Sequence, residues 1–323
     1  MTASTHLTHS METTMMSLTR AARNELVVVT GASTGIGAAT ARELAHKGFH
    51  VLAGVRREVD ADALGADGIE PQILDITVES DVAAIADRVA RDPLHRPLRA
   101  LVNNAGIAVN SPVETLPIAQ WRRQFEVNLF GHIAIIQALL PALLISLGTV
   151  VNISSVGGKV VLPTYGAYAG SKFALEAASD ALRREVSELG IKVVVIEPGA
   201  VKTEMAERGI TTAEGLQAEM TTAHLARYGD LLAAVTAQAR SFGEVGVSAE
   251  HAAKVIAKAA TASRPRTRYT IGRDAAILVR ISRVVSDRVL DRIVRLNLRS
   301  FAKNSQSREQ HSAATTSVGA DQP

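Results

Sequence analysis

Two of the chain's four tyrosines fall within "YGAYAGSK" (165–172), and Lys172 follows Tyr168 by four residues. A helix over 166–189 would put Tyr168 and Lys172 on one face, a turn apart. A free phenol titrates near pH ~10. An adjacent ammonium favours the phenolate and lowers that value, each unit being worth about 1.4 kcal/mol. Such a phenol comes within reach of general acid–base work near neutral pH. Tyr165 lies seven residues before Lys172, at or before the helix start, and reads as a pocket wall or packing residue. Ser155, at the end of an expected strand, offers a hydroxyl that could hold a carbonyl beside the phenol. Asn128, in "EVNLFG", is an amide in mid-helix and is suited to holding a water that relays protons.

A second constellation handles anions. Thr30, Gly31, Ala32, Ser33, Thr34, Gly35, Ile36 and Gly37 run between an apolar strand and the helical "AATARELAHKG". Strand, glycine turn and helix N-terminus together make a phosphate site, with backbone N–H groups and the helix dipole aimed at the anion. The expectation is that the glycines are needed where a Cβ would block a pyrophosphate. After the second strand, a carboxylate would read a ribose 2′-hydroxyl, whereas arginine suits a 2′-phosphate. The chain has Arg56 and Arg57 there, so NADP(H) is favoured over NAD(H). Asp75 is placed to meet the adenine, with Ile76 packing nearby.

These residues need a scaffold. Seven apolar, β-branched runs begin at residues 25, 50, 69, 99, 148, 191 and 268, separated by stretches long enough for crossover helices. Most are continuous rather than alternating, as in sheets covered on both faces. The fold class is therefore α/β: a single-domain, doubly wound parallel sheet of about seven strands over residues 24–272. The uncharged run Ile133–Val151 is long enough to span a bilayer. Pro141 and Gly148 are expected to interrupt it, giving a buried helix and then a buried strand. Residues 200–247 break the rhythm after a strand end and read as a lid or substrate segment. Residues 273–301 read as one amphipathic helical extension. Packing on the body or on a second subunit ranks ahead of an anionic membrane surface, because Asp274, Asp287 and Asp291 dilute its arginines.

In this order and spacing, the residues resemble those of the short-chain dehydrogenase/reductase family. The resemblance rests on T-G-x-x-x-G-x-G, N-N-A-G at 103–106, Asn128, Ser155, Tyr168-x-x-x-Lys172, and Pro198-Gly199 followed by Thr203. It implies Tyr168 as acid–base, and Lys172 as its tuner and ribose ligand. Ser155 would be the carbonyl anchor and Asn128 the holder of the relay water. Asn104, Ala105, Gly106, Pro198, Gly199, Val201 and Thr203 would lie on the cofactor side. Gly170 departs from the family's alanine in Y-x-A-S-K.

Composition bounds the rest. Cysteine is absent, which excludes thiolate catalysis and Cys-based metal sites. The nine histidines show no metal-ligand spacing, and a net charge of +3 gives no case for nucleic acid. The arms 1–23 and 302–323 read as disordered, and the former lacks a signal peptide's apolar core. A cytoplasmic, membrane-peripheral at most, homo-oligomeric enzyme is expected, either dimer or tetramer. The apolar 156–164 loop and the extension are similar to the hydroxysteroid- and retinol-type branch. That implies a bulky apolar alcohol or ketone as substrate. The alternatives are a 3-ketoacyl-thioester reductase and a dinucleotide sensor without turnover. The intact Ser155–Tyr168–Lys172 set speaks against the sensor.

Overall fold

A computed structural model describes residues 24–301. The seven expected strands all form: β1 (Leu26–Val29), β2 (His50–Val55), β3 (Ile69–Ile73), β4 (Leu98–Asn103), β5 (Thr149–Ile153), β6 (Lys192–Pro198) and β7 (Arg268–Ile271). They make one sheet in the order β3-β2-β1-β4-β5-β6-β7, and every pairing is parallel. The order reverses between β1 and β4. The crevice beyond the carboxyl ends of those strands is where open α/β sheets bind ligands.

The apolar runs are continuous because each strand feeds two cores. In β1, Val27 and Val29 pack into one cluster with Ala38, Ala41 and Leu44 of helix α1 (Gly35–His46). Leu26 and Val28 face the opposite cluster, with Ile135, Leu139 and Leu143. Between these lie α2 (Glu58–Leu64), α3 (Glu79–Ala90), α4 (Ile118–Phe125), α5 (Gly131–Ser146) and α6 (Gly166–Glu185). They are followed by α7 (Glu204–Ala218), α8 (Thr222–Val245), α9 (Ala249–Thr261) and α10 (Arg273–Ile281). Residues 287–301 form a last helix, α11.

Two expectations are corrected. Pro141 does not interrupt the apolar segment: α5 runs through it to Ser146. The proline removes the hydrogen bond to the carbonyl four residues earlier, that of Gln137. Both residues face solvent, where water satisfies the carbonyl. Helix α4, a π-turn at Glu126–Phe130 and α5 form one helix over Ile118–Ser146, the single one among the described residues long and apolar enough to cross a membrane. It connects β4 to β5, which are paired neighbours, and buries Ile135, Ile136, Leu139 and Leu143 against the sheet. It therefore serves as a crossover helix. The second correction is that the C-terminal extension is two helices. The Val284 and Val285 amides close back on the Ile281 carbonyl, while Ser286 opens α11 by accepting from Val289 and Leu290. A β-branched pair followed by Ser-Asp favours this break. The expected arms 1–23 and 302–323 lie outside the described residues.

Candidate active site

The glycine turn is held by β4 from the side. Thr30 is fully buried. Its hydroxyl accepts from the backbone N–H groups of Asn104 and Ala105, both at 3.0 Å. The Asn104 Nδ2 answers by donating to the carbonyls of Thr30 (3.0 Å) and Gly31 (2.9 Å). Gly31 has φ +62°, a left-handed conformation that favours glycine, and a Cβ there would lie 2.7 Å from the Ala105 Cα. A Cβ on Gly37 would lie 2.2 Å from the Gly31 carbonyl oxygen. The expected reason for these glycines was access for a pyrophosphate. The structure gives a prior one: the turn touches itself and the end of β4 too closely for any side chain.

The residues fit a dinucleotide. Thr34, the residue before α1, makes no side-chain cap, and the first turn carries no acid. The N-terminal N–H groups and the positive end of the helix therefore face outward, as an anion requires. Ser33, Thr34, Gly35 and Ile36 are partly exposed around that end. Arg56 and Arg57 are exposed just past β2. Arg57 is gripped by Asp60, through Nε at 2.8 Å and Nη2 at 2.5 Å, so an incoming phosphate must compete with that carboxylate. The Asp75 carboxylate accepts from Thr77, both N–H and hydroxyl. The Ile76 side chain is 4% exposed in the core and packs against Gly131, so it presents backbone rather than side chain to the crevice.

The segment after β6 folds back over this crevice. Beyond Pro198 and Gly199, Val201 bridges to Val247, and Thr203 starts α7. The Thr203 Cγ2 sits 3.2 Å from the Cβ position of Gly35, the Met205 Cε 3.6 Å from that of Gly106, and the Gly209 Cβ position 3.6 Å from the Ala108 Cβ. Helix α7 thus runs from the phosphate turn to the loop after β4. There Leu216 joins a small apolar cluster with Val109, Leu116, Ala167, Ile107 and Trp121.

The catalytic candidates meet where β5 ends and α6 begins. Tyr165 is the residue before α6, and its ring meets that of Tyr168 edge-on, 6.2 Å away at 79°. Burial pushes the Tyr165 phenol up to about 12. The Lys172 Nζ lies 6.0 Å from the Tyr168 ring centroid and donates to the Ile153 carbonyl at 2.8 Å. Burial lowers the Lys172 ammonium to about 8, against a counter-effect from the Glu176 carboxylate. The Tyr168 phenol is raised rather than lowered, which corrects the sequence expectation. Desolvation outweighs the hydrogen bond with Ser155 that favours the phenolate. Ser155 also accepts from the Gly157 amide at 3.0 Å. A Cβ on Gly170 would meet the Phe125 ring at 3.4 Å, an ordinary contact, so the departure from alanine there has no steric cause.

Asn128 sits in the π-turn and is fully buried. Its Oδ1 accepts from the Ile107 N–H at 2.9 Å, and its Nδ2 donates to the Ile107 carbonyl at 3.0 Å and to the Ser171 Oγ at 3.2 Å. Two neighbours that the sequence reading passed over act alike. Gln124 accepts from Val109 and donates to the Ile107 carbonyl. His132 donates from Nε2 to the Ala105 carbonyl at 2.7 Å; a carbonyl only accepts, so Nε2 carries the proton. Burial, aided by the charge of Lys172, drops His132 to about 3, leaving it neutral. Gln124, Asn128 and His132 recur every four residues and are all fully buried. That periodic polar stripe was the legible signal, as Thr30 was in the phosphate turn.

Among the described residues, no group of three or more His, Cys, Asp or Glu is arranged to hold a metal. Comparison with known proteins agrees with the geometry. The short chain dehydrogenase family matches residues 25–214. The NADPH-dependent 3-dehydrocapnine reductase of Ornithobacterium rhinotracheale is 32% identical over 286 residues, 86% of this chain and 99% of that protein. Human retinol dehydrogenase 16 is 36% identical over 264 residues, 79% of this chain and 83% of that one. A crystal structure of a short-chain dehydrogenase from Streptomyces avermitilis superposes with a TM-score of 0.66 at 29% identity, covering 87% of this chain and 97% of its own. The likeness thus runs along most of the length of these relatives. The chain belongs to the short-chain dehydrogenase/reductase family and is an NAD(P)-dependent oxidoreductase of alcohols and carbonyls.

Proposed function

We propose that the protein interconverts a bulky apolar alcohol and its carbonyl with NADP(H). The observation that carries the substrate class is the roof of the crevice: Met205 of α7 reaches over Gly106, and Leu216 of α7 packs with Ile107, Leu116 and Trp121. An apolar wall of this kind stabilises hydrocarbon surface removed from water. The relatives named for retinol and for dehydrocapnine support the same reading, and the latter's NADPH dependence supports the cofactor. Arg56 and Arg57 would hold the 2′-phosphate, and Ser33, Thr34, Gly35, Ile36 and the α1 N-terminus the pyrophosphate. Asn104, Ala105, Gly106, Asp75, Ile76, Pro198, Gly199, Val201 and Thr203 would border the rest.

When bound, the dinucleotide supplies or accepts the hydride. The chain's own residues handle the proton. Ser155 orients the substrate oxygen toward Tyr168, whose phenol donates a proton during reduction and whose phenolate accepts one during oxidation. Lys172 keeps a positive charge near the phenol and so stabilises the phenolate left after donation. Asn128 fixes the Ile107 backbone and, on this reading, a relay water that returns the proton.

A screen of NADPH consumption over steroid, retinoid, quinone and ketoacyl-thioester substrates tests the assignment. Turnover confined to the thioester would replace it. Converting Arg56 and Arg57 to alanine should raise the KM for NADPH far more than that for NADH, and an unchanged ratio refutes the 2′-phosphate assignment. The same reading places the enzyme in the cytoplasm as a homo-oligomer, with α11 resting on an anionic membrane. Leu298 of α11 is buried and Asn297 bonds Gln238 of α8, while Val289, Ile293 and Leu296 are exposed along another face beside Arg288, Arg292, Arg295 and Arg299. Co-sedimentation with phosphatidylserine vesicles that is lost on changing the three apolar residues to serine supports this. A change in subunit number instead would reassign that face to self-association.

A further inference from the structure

Glu176 lies one helical turn beyond Lys172 on α6 and is 4% exposed. Buried carboxylates are rare unless paired, and this one is paired with two cations from other elements. Its Oε2 accepts from the Lys159 Nζ at 2.7 Å and from Arg268 Nη2 at 3.0 Å and Nε at 3.2 Å. Its Oε1 is buried with no hydrogen-bond partner among the described residues. A second buried carboxylate, Glu197 of β6, faces the same two cations, at 3.7 Å from Lys159 and 3.3 Å from Arg268, and is held by the Thr270 hydroxyl. Asp180 completes the set through Arg268 at 2.9 Å. Asp180 is also paired with Arg183 at 3.1 Å and with Arg184 at 3.8 Å, so Glu176 and Glu197 are the two carboxylates that depend on Lys159 and Arg268 alone.

Lys172 sits at the inner end of this network. Facing it are Tyr168 and Glu176 on α6, the neutral His132 on α5 and the Ile153 carbonyl of β5. Glu176 is the one anion among them. We propose that Glu176 is a positioning residue for the reaction: its carboxylate, pinned from behind by Lys159 and Arg268, keeps Lys172 in the ammonium form that Tyr168 needs. This rests on the reading of Tyr168 and Lys172 as the working pair. Burial drives the lysine toward the neutral amine and Glu176 opposes that drift, the balance lying at about 8.

The test is the pH profile of kcat/KM for carbonyl reduction. Glu176→Gln should move the alkaline limb about one pH unit or more toward acid, so activity falls far more at pH 8 than at pH 6. Lys159→Met removes a cation behind the same carboxylate and should move the limb the opposite way. In a Lys172→Arg background, where the side chain does not titrate, Glu176→Gln should no longer move the limb. A second readout needs no turnover. Lys172 sheds its proton near pH 8 when folded and near 10.5 when unfolded. The unfolded chain therefore binds more protons between those values, and stability attributable to this group rises with pH there. In Glu176→Gln that rise should begin below pH 8. Equal loss of activity at every pH, or a limb shift that survives in the Lys172→Arg background, overturns the proposal. If Glu176→Gln does not fold, the shift in Lys159→Met decides alone. Full activity in Tyr168→Phe would instead sink the underlying assignment.

Discussion

The floor and the roof of the crevice are built on opposite rules. On the floor, the phosphate turn, the end of β4 and the polar stripe of helix 118–146 interlock by buried hydrogen bonds and sub-contact glycine positions. In the roof, Gly215, Gly229 and Gly243 have nothing within 4 Å of their Cβ positions. Helices α7 and α8 are tied down by exposed pairs such as Arg240–Glu214 at 2.8 Å and Arg227–Glu114 at 2.5 Å. Between α7 and α8 lies a cavity of about 530 Å³ that includes Leu225 and Thr236, apart from Tyr168. The cavity marks where the roof is loosely packed, and Tyr168, Ser155 and Lys172 mark where we propose that the reaction occurs. Proton transfer needs fixed geometry, whereas admitting a large substrate needs an element of low local stability.

Substitutions in the two regions should diverge accordingly. The largest effect is expected on the floor. Tyr168→Phe should lower kcat by about 10²- to 10⁴-fold, the usual worth of a positioned acid–base, with NADPH binding retained by fluorescence titration. Tyr165→Phe should be mild, and an equal loss there would mean the wrong phenol was chosen. Next, Gly37→Ala forces a Cβ into the Gly31 carbonyl and should destabilise by about 1–3 kcal/mol or more, with loss of dinucleotide affinity. Gly229→Ala in α8 should stabilise by up to about 1 kcal/mol. Thermal melts that rank these two the other way would break the contrast.

Acid should also find the floor. His132 is held neutral, with its pKa lowered from 6.5 to about 3. Between those values the unfolded chain binds the proton and the folded chain does not, so stability falls as pH drops from 6.5 toward 3. Urea melts across that range should show the slope in the parent and a shallower one in His132→Gln. The smallest effect is expected in the roof. Glu114 is the anchor of α8, accepting from Arg227 and from the Tyr228 hydroxyl at 2.6 Å. Glu114→Gln should raise the KM for a bulky substrate with little change in kcat or melting temperature. A fall in kcat alone would show that the roof, too, helps set the reacting geometry.

The floor was far more legible than the roof. Continuous β-branched runs announced all seven strands because burial on both faces demands apolar residues at every position. The spacing of Tyr168 and Lys172 named a helix face, and Gly31, Gly35 and Gly37 named a turn. The break at Val284–Asp287 and the passage of α5 through Pro141 were missed, since each turned on which backbone groups met solvent. The role of Thr30, named only as part of the turn, and Gln124 and His132 altogether were missed because their partners are backbone groups distant in the chain.

The sequence by itself therefore determined the strand set, the phosphate turn, the Tyr168–Lys172 pair and the family, because those depend on local pattern and spacing. Only the tertiary structure decided that Asp60 holds Arg57, that Ile76 turns into the core, and that burial raises Tyr168 while lowering Lys172. Desolvation and cross-chain contacts set those outcomes. Both arise from which distant segments exclude water from a group, and spacing along a chain does not record that.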